Sequence, residues 1–257
     1  MKPTHLCSAL FFLVLPALGY AAPASTTTKQ GKQDNRARDV KITAAQIETI
    51  APKSKSCADA PAPGECATSE QAAANIGKSF ETYKVTSAAE QAAVIGLMAF
   101  ESLDFEYNRN HFPGVPGQGS MFAFAFAFAF YVHALRGRSA RMRAEGEADC
   151  VGIRLARNMQ SPAFNAKYAA SLPALADKLK GVSGDPTGVL DLLLSNEEYD
   201  FGSGAWFLTT QCSQDVRSEL QSGSEAGWQK FISSCVGTDA NEERKAYWTR
   251  AVQALGV

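Results

Sequence analysis

Three carboxylates fall within six residues in the stretch Glu101-Ser102-Leu103-Asp104-Phe105-Glu106, directly after the most apolar of the expected helices, which runs through Ala92 to Phe100. A carboxyl delivered to the exit of such a run is partly desolvated, which favours its protonated form and lifts it toward the working pH of a general acid. Glu101 is the candidate acid. The competing reading, a helix-terminal glutamate pointing to water, is equally consistent with the residues. Glycosidic cleavage pairs such an acid with a second carboxylate, and Asp104 and Glu106 stand nearest in sequence. Asp104 reads equally as a loop cap and Glu106 as surface charge. Aromatic rings stack on sugar faces and amides bind hydroxyls, so Ser102, Tyr107, Asn158, Gln160, Tyr199 and Trp206 are candidate substrate contacts. Trp206 runs on into Phe207-Leu208, which also reads as core. His111, beside Phe112-Pro113, reads as a packed loop histidine or a base. Glu197, Glu198 and Asp200 read as solvated charge.

The elements that must position these residues are helices. Thr68-Ser69-Glu70-Gln71 opens one that continues through Ile76 and Phe80, and Ser87-Ala88-Ala89-Glu90 is a capping box before the apolar run. That run is apolar on all sides, so its helix should be central. Phe112-Pro113-Gly114-Val115-Pro116-Gly117-Gln118-Gly119 is a long Gly/Pro-rich loop. Helices are expected over 162–170, 173–180 and 185–194, the last with Asp185 as cap and Pro186 in the first position. Gly202-Ser203-Gly204 should break the chain before a helix from Ala205, and two further helices, about 215–234 and 239–255, should close the domain. Strand signals are nearly absent. The fold class is all-α, a single mainly helical domain.

At the amino end Lys2, an apolar stretch from Leu10 to Leu18 and the small residues Gly19, Ala21, Ala22 and Ala24 read as a signal peptide over 1–21, too short for a membrane span. Residues 22–56 carry Lys29, Lys32, Arg36, Arg38, Lys41, Lys53 and Lys55 and read as a basic linker or pro-segment. The domain from Cys57 to Val257 leans acidic, which argues against nucleic acid as a partner. The chain has six cysteines. Cys7 leaves with the signal and Cys150 lies in an anomalous segment. In an oxidising compartment the remaining four should pair, and short-range closure favours Cys57 with Cys66 and Cys212 with Cys235, two other connectivities staying open. A zinc site has no CxxC pair and only His111 to draw on, so no metal is expected.

The anomalous segment, 120–156, holds four Phe-Ala repeats and then Arg136, Arg138, Arg141 and Arg143. A strand with one aromatic face, low-complexity sequence and a surface insertion are possible readings. A retained intron fits better. Ser120-Met121-Phe122 can encode a GTATGT donor, Asp149-Cys150 a branch point and Leu155-Ala156 an acceptor. Splicing would join Gly119 to Arg157 through one threonine codon and remove the odd Cys150.

Glu101-Ser102 at a helix end, a Gly-rich loop, then Arg157-Asn158-Met159-Gln160, and later Tyr199 with Gly202-Ser203-Gly204-Ala205-Trp206, together resemble the lysozyme-like superfamily. The likeness is to goose-type lysozymes and lytic transglycosylases, in the form of a secreted fungal muramidase. It implies a lysozyme-like fold and a glycoside hydrolase that cleaves the β-1,4 bonds of peptidoglycan, with Glu101 protonating the leaving oxygen and no metal or organic cofactor. It also implies a polysaccharide partner, peptidoglycan or a chitin-like glycan, and a secreted monomer with no membrane contact after signal cleavage. Asn158 departs from the Leu expected before Met159-Gln160. The acidic domain sits awkwardly with an anionic wall, which leaves a chitin- or chitosan-directed hydrolase as one alternative. A non-catalytic glycan-binding or effector protein is the other.

Overall fold

The structure is a computed structural model that describes residues 41–62, 64–111 and 160–257. The loop 112–119, the Phe-Ala segment and Asn158 lie outside the described residues. Among the described residues ten α-helices follow in order: α1 (Ala44–Ile50), α2 (Ser69–Tyr83), α3 (Ala88–Glu101), α4 (Pro162–Ala170), α5 (Ala176–Gly181), α6 (Pro186–Leu194), α7 (Glu197–Gln211), α8 (Gln214–Leu220), α9 (Glu225–Lys230) and α10 (Glu242–Leu255). Short 3-10 turns at Pro52–Lys55 and Pro173–Leu175, and a π-helical turn at Phe231–Val236 after α9, complete the described elements. The architecture is mainly helical, with no strand among the described residues.

Most helix starts follow their side-chain caps. Thr68 accepts from the Gln71 N–H while the Gln71 side chain returns to the Thr68 N–H, a full capping box. Asp185 caps α6 with Pro186 in its first turn. Ser87 caps α3, but Glu90 does not turn back to complete a box; its carboxylate goes to Arg217 of α8.

Helix α3 is the hub. Twelve of its residues are buried, and it packs along α10 and against α1, α7 and α8. At Gly96 a Cβ would stand 3.1 Å from the Trp248 backbone, so the glycine lets α10 lie close. Trp248 stacks on Trp228 at 5.1 Å and 16°, so both tryptophans are core, as their helical patterns suggest.

Three stretches differ from the sequence reading. The expected break at 202–204 does not occur, and α7 runs unbroken from Glu197 to Gln211. Its glycines are there for close packing: a Cβ at Gly204 would stand 2.9 Å from the Met98 sulfur, and one at Gly202 would run into the Tyr168 hydroxyl. Residues 42–55, assigned from sequence to the linker, form α1 and a 3-10 turn, with Ile42, Ile47 and Ile50 in the core. The expected helix 215–234 is divided into α8, α9 and the π turn, because Gly223 at φ 72° turns the chain between Leu220 and Glu225. Both disulfides have the expected partners, Cys57–Cys66 and Cys212–Cys235.

Candidate functional site

The carboxylate stretch begins where α3 ends. Ser102 stops the helix, its hydroxyl donating to the Met98 carbonyl at 2.7 Å and accepting the Phe105 N–H at 3.0 Å. The next three residues, Leu103, Asp104 and Phe105, all take left-handed conformations, with φ of 54°, 61° and 67°. Each such residue costs about 1–2 kcal/mol when it is not glycine. Opposing this cost, the Asp104 N–H bonds the Ala99 carbonyl at 2.8 Å and the Tyr107 N–H bonds the Ser102 carbonyl at 3.2 Å. Phe105 is fully buried, with its ring 5.8 Å from Phe201.

Each carboxylate of the stretch is held by donors distant in sequence. Glu101 is 1% exposed, and its Oε1 accepts from Arg244 Nε at 3.1 Å and Nη2 at 2.8 Å. Arg244 also donates to the Asp239 carbonyl at 3.1 Å and lies 4.7 Å over the Phe100 ring. Asp104 is buried, accepting from the Tyr247 hydroxyl at 2.6 Å and the Lys53 N–H at 3.1 Å. Burial pushes the Tyr247 phenol well above its ordinary range, and the bond to Asp104 pushes it further. Arg250 lies 4.1 Å over the Tyr247 ring and donates to the Ile50 carbonyl. Glu106 pairs with Lys53 Nζ at 2.8 Å.

The candidate substrate contacts fall into two places. Ser102 is spent on the turn itself, and the Tyr107 ring lies 5.2 Å from that of His111, whose Nε2 is 2.9 Å from Glu65. Gln160, Tyr199 and Trp206 gather instead around α7: Gln160 is buried and donates to the Ser203 carbonyl at 2.8 Å, and the Tyr199 carbonyl accepts from Tyr168 at 2.8 Å. Trp206 is a core residue, 5.1 Å from the Tyr168 ring. Sequence reasoning missed Arg244, Tyr247 and Lys53. Arg244, Tyr247, Trp248 and Ala251 share the spacing of one helix face, so a cation on an otherwise buried face was the signal available.

Among the described residues no group of three or more His, Cys, Asp or Glu side chains could hold a metal ion. No described helix is long and apolar enough to cross a membrane. What the fold and this site define is a mainly helical, disulfide-linked domain whose carboxylate stretch is a buried junction. The chain is 38% identical over 193 residues to a bifunctional dioxygenase–epoxy alcohol synthase of Fusarium oxysporum (strain Fo5176), a match covering 73% of this chain. The chain spans only about 12% of that relative's length. No protein-family profile and no solved structure matches the chain.

The similarity overturns the muramidase expectation, because it is to part of a dioxygenase and synthase and not to a lysozyme-like hydrolase. The peptidoglycan-cleaving activity, with the hydrolase, glycosidase and muramidase assignments that follow from it, is withdrawn; the glycan-binding, effector and chitin-directed alternatives gain no support either. The geometry agrees. A general acid must reach the leaving oxygen, whereas Glu101 is sealed from solvent with its Oε1 bound to the Arg244 guanidinium. What remains of the enzyme expectation is coarser: the chain is related in sequence to part of an enzyme.

Proposed function

We propose that this chain is a helical domain serving an oxygenase-type enzyme of the dioxygenase–epoxy alcohol synthase kind, working beside the reacting centre. The observation that carries this reading is the coverage: the similarity takes in 73% of this chain and only 12% of the Fusarium enzyme, so the shared part is one portion of a much larger protein.

The test uses the Fusarium enzyme with and without its matching stretch, following oxygen uptake. An unsaturated lipid is the probe, since an epoxy alcohol made from dioxygen needs a carbon–carbon double bond. Removal of the stretch is expected to lower uptake or the enzyme's stability, and adding this chain in trans to restore at least half of the loss. An enzyme indifferent to the deletion and unable to bind this chain would contradict the reading. Uptake catalysed by this chain alone would contradict its placement beside the reacting centre.

A further inference from the structure

The left-handed turn after α3 is held in large part from one side, by the segment 53–67. Ala67 donates its N–H to the Phe105 carbonyl at 3.0 Å. Glu65 accepts the Asn108 N–H at 3.2 Å, lies 2.9 Å from His111 Nε2 and is 3.9 Å from Arg109 Nε. Lys53 reaches Asp104 through its N–H and Glu106 through its ammonium. Glu65 and Ala67 are the two neighbours of Cys66. No described residue between Lys55 and Ser69 is helical, so the Cys57–Cys66 bond supplies the constraint that regular hydrogen bonding does not. All four disulfide cysteines are partly exposed, but Cys212 and Cys235 pack against the hydrophobic core, a packing to which Cys57 and Cys66 do not belong.

We propose that the Cys57–Cys66 disulfide is a redox-sensitive latch on the segment 103–111. A dithiol reductant attacks the protein disulfide, the Cys57–Cys66 S–S bond breaks, and a new S–S bond forms within the reductant. Two electrons and two protons pass to the protein, leaving two thiols. With the cross-link open, Glu65 and Ala67 are no longer carried by a closed loop, and the three non-glycine residues at positive φ favour relaxation of the turn. Helix α3 and the Cys212–Cys235 region keep their own packing.

The experiment titrates the full chain with dithiothreitol, alkylates the free thiols and follows amide hydrogen exchange in the same samples. Cys57 and Cys66 are expected to be alkylated before Cys212 and Cys235. At the stage when only the first pair is open, the amides of Asp104, Glu106, Tyr107 and Asn108 should lose protection at least tenfold while those within α3 and α7 do not change. A Cys57→Ser/Cys66→Ser variant should show the same local loss without reductant, and Cys212→Ser/Cys235→Ser should not. Reversed or simultaneous opening, unchanged protection at 104–108 once the first pair is open, or global unfolding of the Cys57→Ser/Cys66→Ser variant would each overturn the latch.

Discussion

At its first turn α3 carries Glu90 and at its last residue Glu101, and each carboxylate is buried against an arginine from another helix, Arg217 of α8 and Arg244 of α10. The backbone around the two is not equivalent. Glu90 lies where the unpaired N–H groups of a helix start favour negative charge, and Ser87 caps that start. Glu101 lies among the carbonyls of the helix end, where a carboxylate is disfavoured, and the chain leaves through three left-handed residues with no glycine among them. The entry is thus partly self-supporting. The exit depends on partners far away in sequence, namely Arg244, Tyr247, Lys53 and Ala67. An acidic cluster after an apolar helix can therefore be a junction that closes the fold, with the same residue types that would make a reactive site.

The largest effect expected from breaking this comparison is at the arginines. Arg244→Met should cost about 3–5 kcal/mol, because it leaves Glu101 buried without its guanidinium. Arg217→Met should cost less, by roughly the 0.3–1 kcal/mol that a carboxylate gains at a helix start. Urea unfolding of the two variants measures the difference, and equal losses would remove the asymmetry.

Tyr247→Phe comes next, at about 1.5–3 kcal/mol for a hydrogen bond to a charged group. It also carries an alkaline pH signature. The folded-state phenol is raised by burial and by Asp104, so the stability it contributes is whole below the unfolded value of about 10 and is lost as pH rises through the folded value. Alkaline titration should therefore weaken the parent above about pH 10, and the Phe variant should show a shallower slope. Tyr168 of α4 is raised in the same direction by burial first, so its Phe variant should flatten the alkaline slope too and gives the comparison outside α10.

The smallest effect sharpens the contrast in backbone cost. Lys84, at the end of α2, is exposed at φ 56°. Lys84→Gly should stabilise by about 0.5–1 kcal/mol, since nothing but the left-handed conformation is altered. Leu103→Gly should gain less, because Leu103 is half buried and gives up packing with its side chain. Thermal unfolding that ranked the two the other way would show the exit turn to be unsupported by its contacts.

Features set by neighbouring residues were legible in the sequence. The caps at Thr68, Ser87 and Asp185 and the end of α3 at Glu101 are local, and the disulfides follow from short closure. Gly202 and Gly204 read as a break because glycine is a weak helix former, while the reason for them is Tyr168 and Met98 in other helices. Residues 42–55 read as tether because of their lysines, yet Ile42, Ile47 and Ile50 anchor one face of the stretch in the core. Of the candidate site, the position of the carboxylates was legible and their partners were not. Glu101 and Arg244 are 143 residues apart, and no local pattern links them. The resemblance to lysozyme-like proteins rested on the order of short motifs, and order does not report what each side chain touches.

The central claim, that Glu101 holds the fold together rather than acting as an acid, is tested most directly by a double-mutant cycle on Glu101 and Arg244, followed by urea unfolding. Glu101→Gln alone should destabilise by about 3 kcal/mol or more, and the pair should couple by about 2–3 kcal/mol, the double variant Glu101→Gln/Arg244→Met costing less than the sum of its parts. A Glu101→Gln protein as stable as the parent, with coupling below about 0.5 kcal/mol, would contradict it.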